Sequence, residues 1–390
     1  MVAPPRNSTR TGRRAWSWVC IGLVLTGPAV ASAEAPPGPP KASRRFHESG
    51  FACGIAFSPD GKTLAAGAMD GTVRLLSVGQ EGPSQAHSLG AADAQFSTFR
   101  SGPAPIRYSP DGTTLIAGNF GEEVESRDHR RVGPDALRAW DLKTGRVHFT
   151  APLDGLGRTF AFTADGRTVR ASVFKDNVTE LVQSWDAATG KATGTVALSH
   201  RGKRMTAFAP GANLLAVGEF EAATITLDEM PSGRALATWS APSLAGKPGS
   251  FVELAFATDG RTLAARRGDG VVELRDVPSG SVRLSVTPPA DESKTFPSRG
   301  MAFTPDGRRL ALSGARDIPH RPGDLAYAGR VHLVDAASGK RYATVEVGEP
   351  GCSDLGLSPD GRIMAFTDVE WGGGTVPMQT LSVWDIPPGP

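Results

Sequence analysis

Cysteine is scarce in this chain. Three cysteines occur in 390 residues, and one of them, Cys20, lies in an apolar segment near the N-terminus. Also lacking are a long amphipathic helical pattern and a strict glycine period, whereas glycine (47 residues) and proline (31 residues) are frequent. This composition argues against a helical or collagen-like fold and predicts an all-β chain of short strands joined by tight turns.

The linear motifs of common catalytic and metal sites are absent as well. The sequence contains no Gly-x-Ser-x-Gly elbow, no His-Glu-x-x-His motif, no phosphate-binding glycine loop and no repeated His-x-His or Cys-x-x-Cys spacing. We therefore expect a protein that is not an enzyme and that holds no cofactor and no metal ion.

Residues 1–33 predict a signal peptide. Arginines precede the apolar run "AWSWVCIGLVLTGPAV", and "ASA" at 31–33 is typical of a signal-peptidase site. The run is short and is soon followed by the prolines of residues 34–42, which we interpret as a linker, so a membrane span after cleavage is not expected. The prediction is export to the periplasm or the extracellular space, with an uncleaved membrane anchor as the alternative.

Cleavage would also change the net charge. Removing the four arginines of residues 1–33 leaves 38 basic and 40 acidic residues, a net charge of −2. A nearly neutral protein without basic clusters has little capacity to neutralise a phosphate backbone. Nucleic acid is therefore not expected as a partner.

A five-residue turn motif recurs seven times after this segment. Its copies are separated by 51, 54, 46, 48, 47 and 54 residues. Proline, aspartate and glycine at these positions favour a tight turn between two strands, and a period near fifty suits the four short strands of a β-propeller blade. The copies are "FSPDG" at Phe57, "YSPDG" at Tyr108, "FTADG" at Phe162, "FAPGA" at Phe208, "FATDG" at Phe256, "FTPDG" at Phe303 and "LSPDG" at Leu357.

A second motif ends the third predicted strand of each unit. Three copies read Trp-Asp, two keep only the acid, and the fourth and first copies have diverged further. In chain order from the first unit they are Leu76-Ser77, Trp140-Asp141, Trp185-Asp186, Asp228-Glu229, Arg275-Asp276, Val334-Asp335 and Trp384-Asp385. Together the two motifs resemble the WD40-repeat family over nearly all of residues 43–390. The resemblance implies a seven-bladed β-propeller of four-stranded antiparallel blades.

The family resemblance also implies a function. WD40-like propellers act as scaffolds that bind a protein or a peptide, and we expect a monomeric scaffold of this kind. The alternatives are a propeller hydrolase or lactonase-like enzyme, or a small-anion binder, that uses residues at the channel mouth, and a passive structural module without a ligand. The Gly-His pair that typical repeats carry near their start is missing here, so their buried His-Asp hydrogen bond is not expected.

The ends of the chain predict how the ring closes. The last repeat ends after its third strand, and "SRRFHES" at 43–49 has no other strand to pair with, so we expect this segment to supply the outer strand of the seventh blade. Cys53 and Cys352 precede the first and seventh turn motifs and would lie in neighbouring blades. They form either a disulfide across the seam or two free thiols.

Irregular loops indicate the candidate binding face. The Pro-Asp-Gly turns lie at one end of the propeller, the turn face, and the insertions at 121–135, 316–329 and 368–379 fall at the opposite end, the loop face. Of the loop residues, His129 and His320 are metal-ligand types or solvated surface residues. Trp371 is either an exposed anchor for a partner or a residue that packs its own loop.

Three arginines share one position of the repeat. Arg158, Arg204 and Arg299 each stand four residues before a turn motif, where they would form a partial cationic ring at the channel mouth. Such a ring suits a carboxylate, a phosphate or an acidic side chain. The alternative is that each arginine pairs with a local acid such as Glu253 or Asp354.

Overall fold

A computed structural model of the chain shows an all-β propeller. The residues that it describes are 43–49, 51–68, 72–79, 87–89, 106–119, 136–175, 179–200, 204–219, 222–240, 251–291, 300–318, 326–348, 354–370 and 378–387. They form seven four-stranded antiparallel sheets, one per blade. The predicted fold class is thereby confirmed.

Each blade contains four strands, which follow one another from the innermost to the outermost position. Blades one to three contain β2 (Phe51–Phe57), β3 (Thr63–Ala68), β4 (Val73–Ser77) and β5 (His87–Leu89); β6 (Ile106–Tyr108), β7 (Thr114–Asn119), β8 (Ala136–Asp141) and β9 (Arg146–Pro152); and β10 (Leu156–Phe162), β11 (Thr168–Lys175), β12 (Thr179–Asp186) and β13 (Ala192–Leu198). Blades four and five contain β14 (Arg204–Phe208), β15 (Leu214–Glu219), β16 (Thr224–Glu229) and β17 (Arg234–Ser240); and β18 (Phe251–Phe256), β19 (Thr262–Arg267), β20 (Val272–Asp276) and β21 (Val282–Val286). Blades six and seven contain β22 (Met301–Phe303), β23 (Arg309–Ile318), β24 (Ala326–Asp335) and β25 (Arg341–Gly348); and β26 (Asp354–Leu357), β27 (Ile363–Glu370), β28 (Met378–Asp385) and β1 (Ser43–Ser49).

The inner strands contact one another in a closed cycle. Along the ring, β2, β6, β10, β14, β18, β22 and β26 each touch the next, and β26 touches β2 again. The hydrophobic core is divided accordingly into seven clusters, each built from two neighbouring blades. Burial between blades therefore holds the ring together, since a single blade cannot bury its own two faces.

The seventh blade takes its outer strand from the other end of the chain. Strand β1 pairs antiparallel with β28, with Ser43 opposite Asp385 and Ser49 opposite Thr380. One core cluster also joins Ile55 and Leu64 of the first blade to Ala365 and Leu381 of the seventh. The two ends of the ring are thus joined by strand pairing and by apolar packing.

The recurring turn motif ends the inner strand in every blade. In the first copy, Ser58 Oγ donates to Asp60 Oδ1 at 2.6 Å and accepts from the amide of Thr63 at 3.0 Å, and Gly61 has a φ of 71°. The hydrogen bond from Ser58, together with that from the Lys62 amide, holds the pKa of Asp60 below its ordinary value. The motif is therefore a structural turn, and five of the seven copies build it from the same hydroxyl-carboxylate hydrogen bond.

Candidate functional site

The loop face is built up most strongly on three blades. Strands β23 and β24 of blade six have 10 residues each, and the corresponding strands of blades three and seven have 8 residues each. In the other four blades these two strands have 5 or 6 residues. Because the second and third strands are joined at the loop face, the longer hairpins project there. Backbone pairing between the two strands continues to the ends of these hairpins.

Ion pairs hold charged side chains in place on these projections. Arg330 of β24 pairs through NH1 with Asp291 Oδ2 at 2.7 Å and through Nε with Glu346 Oε1 at 2.9 Å. The hydrogen bond from Arg330 lowers the pKa of Asp291. On blade three, Lys175 Nζ lies 2.7 Å from Asp154 Oδ2. The described part of the loop face therefore presents charges of both signs in fixed positions.

A central channel runs through the ring between the seven inner strands. Its volume is about 750 Å³, and residues of every inner strand line it. Most of the lining is apolar, with Phe57, Phe208 and Phe256 among its larger side chains. The charged residues of the described channel wall are Arg107, Arg158, Glu253 and Asp354.

Arg158 pairs within its own blade. It is the extra residue of a β-bulge, because the register of β10 against β11 shifts between Gly157 and Thr159. The guanidinium lies 4.4 Å from the ring centre of Phe174, and its Nε lies 3.9 Å from Oε2 of the fully buried Glu180. Arg158 thus has a local acid, but this acid is Glu180 of β12 and not Glu253 or Asp354. A bulge can redirect a side chain in this way, and sequence spacing does not reveal it.

The other predicted site residues are placed only in part. Arg204 begins β14, where its backbone pairs with Glu219, and Cys53 lies in β2 in an irregular stretch between Phe51 and Ile55. Their side chains are outside the described part of the structure. So are Arg299, His129, His320, Trp371 and Cys352 as a whole, and the binding, metal and disulfide hypotheses for these residues stay predictions.

Glu253, one of the two channel acids named as alternative partners, connects neighbouring blades. Glu253 Oε1 accepts a hydrogen bond from the Gly300 amide at 3.0 Å, and Glu253 Oε2 lies 3.2 Å from Arg266 Nε. Arg266 in turn donates through NH1 to the carbonyl of Ser313 at 2.8 Å. These contacts fasten blade five to blade six, so both charged groups have a structural role at this interface.

Two diverged Trp positions carry buried charges, each with a partner. Asp228 Oδ2 lies 2.7 Å from Nε2 of His200, a buried His-Asp contact that the sequence did not predict. Arg275 pairs through NH2 with Glu273 Oε2 at 2.6 Å, and both side chains are buried. The Trp side chains of intact copies, such as Trp140 and Trp185, are buried between blades instead. Buried polar contacts, a His-Asp hydrogen bond in blade four and an Arg-Glu ion pair in blade five, therefore occur where the other copies have a Trp.

Sequence reasoning missed Arg107, the one other charged residue of the described channel wall. It directly precedes the turn motif of the second blade and is exposed to the channel. The residue at this position is alanine in five of the other copies and glycine in the sixth. This single departure from small residues was the signal that could have identified it.

The described ranges contain neither a metal-binding cluster nor a membrane-spanning helix. No group of three or more His, Cys, Asp or Glu side chains there could hold a metal ion. Nor does that part of the chain contain a helix long and apolar enough to cross a membrane.

The first blade shows the similarity to known proteins. Residues 38–77 match the family model of the WD domain, G-beta repeat. The match contains β1, the outer strand of blade seven, followed by β2, β3 and β4 of blade one. The sequence repeat is thus offset by one strand from the structural blade. No curated protein sequence matches the chain significantly.

Proposed function

The chain belongs to the WD40-repeat family, and from this premise we propose that it is a non-enzymatic scaffold that binds a protein or a peptide through its loop face. The observation that carries this proposal is the unequal length of the hairpins. Those of blades three, six and seven are longer than the other four, and all three project at the same end of the ring. Extra structure on one face of a rigid repeat fold is typical of a binding surface.

The physical basis of binding would be a surface that is already ordered. Arg330 is held between Asp291 and Glu346, and Lys175 lies against Asp154. Binding to charged side chains that are already held in place costs less conformational entropy than binding that must first order them. The mixed signs suit a protein or peptide surface with charges of both signs.

Arg158 bears on the alternative of an anion site at the channel mouth. Its guanidinium is already engaged by Phe174 and by the buried carboxylate of Glu180. An arginine that neutralises a buried acid is less available to a ligand, which favours the scaffold over the mouth site. We expect the protein to act as a monomer, and the signal-like sequence of residues 1–33 supports its export.

The proposal is tested by shortening the hairpin of blade six. Gly314 and Arg330 are paired in register, so an Asn-Gly turn can replace residues 315–329 and close the hairpin. Wild-type protein is used to capture partners from an envelope extract of the source cells, and each captured protein is purified and titrated by calorimetry. We expect the shortened variant to bind at least about 10-fold more weakly.

The matched control changes charges on the turn face. Lys143→Glu with Lys191→Glu alters two exposed side chains at that end and should leave the dissociation constant unchanged. Circular dichroism melts establish that both variants are folded. The proposal is wrong if the shortened variant binds every captured protein as tightly as the wild type, or if the turn-face variant alone loses binding.

A further inference from the structure

Arg107 occupies a position of the repeat where the other blades have almost no side chain. The equivalent residues, directly before each turn motif, are Ala56, Ala161, Ala207, Ala255, Ala302 and Gly356. Small residues at this point of all the other inner strands leave space between them in the channel. A single long cationic side chain therefore extends into a space that the rest of the ring keeps open.

Few contacts hold the guanidinium of Arg107. Its NH1 donates to the carbonyl of the adjacent Ile106 at 2.7 Å, and in the described residues this is its one hydrogen bond. Within the same residues it forms no ion pair, whereas Arg158 of the channel wall pairs with Glu180, and the channel acid Glu253 pairs with Arg266. The remaining N–H groups of the planar fork are thus available to a ligand.

Arg107 is exposed to the space of the channel, and the surrounding wall affects its charge. Burial lowers the pKa of Arg107, and the carboxylate of Asp354 partly offsets the effect. No ion pair joins Asp354 to Arg107 in the described residues, and the two Asp354 oxygens accept from the amides of Ile55 at 2.9 Å and Leu355 at 3.0 Å. A channel cation that the described residues leave without an ion pair is typical of a binding position.

The same wall limits the charge of a ligand. Asp354 contributes a negative charge to the channel near Arg107, which repels a second negative charge on a ligand, whereas the charge of Glu253 is offset by Arg266. A monoanion is therefore favoured over a phosphate dianion. Apolar side chains such as Phe57, Phe208 and Leu254 line much of the channel and suit an apolar stem.

We propose that the central channel binds a monocarboxylate with an apolar stem, and that Arg107 is the residue that pairs with the carboxylate. The carboxylate can come from a free small molecule or from the C-terminus of a peptide, and the two sources share this chemistry. The site lies inside the ring and does not involve the loop face. The proposal of a channel site is therefore independent of the proposed scaffold function.

The test uses hexanoate as the free carboxylate and a short apolar peptide, with either a free or an amidated C-terminus, as the second source. Binding to the full exported chain is measured by calorimetry and by the chemical shift of Arg107 Nε. Arg107→Ala places in blade two the residue that five other blades have and should fold normally. We expect it to weaken binding at least about 10-fold, and Arg107→Lys to restore part of the affinity.

Arg308→Ala is the matched control, since Arg308 is an exposed arginine of the turn face. It should bind like the wild type. Binding of hexanoate identifies a small molecule as the source of the carboxylate. If hexanoate does not bind, and the peptide binds with a free but not with an amidated C-terminus, the source is a peptide. Both outcomes support the proposal. It is overturned if neither probe binds, if Arg107→Ala binds as tightly as the wild type, or if inorganic phosphate binds more tightly than both probes.

Discussion

Asp354 Oδ2 accepts a hydrogen bond of 2.9 Å from the backbone amide of Ile55, which lies 299 residues earlier in the chain. The contact joins the inner strand of the last blade to that of the first. It therefore crosses the interface at which the two ends of the propeller chain meet, which strand β1 and a shared apolar cluster also join.

The first prediction concerns the pH dependence of this contact. Burial raises the pKa of Asp354 above 3.8, although Arg107 and two backbone amides oppose the shift, and Glu253 adds to it. A carboxyl group whose pKa is higher in the folded state costs stability as the pH rises through the interval between the two pKa values. Asp354→Asn keeps an acceptor for Ile55 but does not titrate. In urea unfolding, the free energy of unfolding of Asp354→Asn minus that of the wild type should therefore increase from about pH 3 to about pH 7.

Asp354→Ala provides the comparison at a single pH. It removes the acceptor and leaves the Ile55 amide unsatisfied, which should lower the free energy of unfolding by about 1–3 kcal/mol. A difference between Asp354→Asn and wild type that stays constant with pH, or changes in the opposite direction, would show that Asp354 does not titrate as argued.

The second prediction concerns strand β1. Deleting residues 43–49 removes the outer strand of blade seven and exposes the edge of β28. Each lost ladder hydrogen bond contributes about 0.5–1.5 kcal/mol, so we expect the free energy of unfolding to fall by at least about 3 kcal/mol. The exposed edge should also promote aggregation. Deletion of 34–42 is the control and should leave thermal unfolding unchanged; equal melting of both deletion variants would refute the role of β1.

The third prediction concerns the glycine of the turn motif. Gly61 has a φ of 71°, and a Cβ at this residue would lie 3.2 Å from Cδ of Pro359 in the neighbouring blade's turn. Gly61→Ala should therefore destabilise the protein by about 1–2 kcal/mol in urea unfolding. Gly79 is the matched control, because a Cβ there would meet nothing within 4 Å. Equal effects of the two substitutions would mean that the turn geometry is not limiting.

The fourth prediction concerns the buried ion pair of blade five. Arg275→Met removes the 2.6 Å partner of Glu273 but leaves its pairing with Arg267 at 3.1 Å, so the cost should be below the ~3–5 kcal/mol of a buried charge with no partner. Arg275→Met with Glu273→Leu removes both charges, while Arg267 keeps its pairing with Asp269 at 2.7 Å. The double variant should be more stable than the single one. A double-mutant cycle measures the coupling, and additive effects would show that the two charges do not depend on each other.

The sequence motifs predict most of the fold because each turn copy has a local cause. The inner strands end at the seven residues that begin the motif, from Phe57 to Leu357, and the third strands end at the residue after each Trp position, from Ser77 to Asp385. Hydroxyl, carboxylate and glycine act within a few residues of one another here. Short-range chemistry of this kind can be read directly from sequence.

The site is harder to predict because its contacts join distant residues. The partner of Arg158 is Glu180, which a bulge at Arg158 brings within reach, and the partner of Asp228 is His200, without the usual Gly-His pair. Neither spacing belongs to a motif. Arg107 is different, since comparison of the seven copies alone distinguishes it from the small residues at its position.

The most direct test of the scaffold function is hydrogen exchange of the protein with and without a captured partner. If the loop face binds, backbone amides at the ends of β11 and β12, near Lys175 and Thr179, and of β23 and β24, near Ile318 and Ala326, should exchange more slowly in the complex. Amides of the turns at 58–61 and 304–307 should not change. Protection of these turns with unchanged exchange at the hairpin ends would contradict the proposed function.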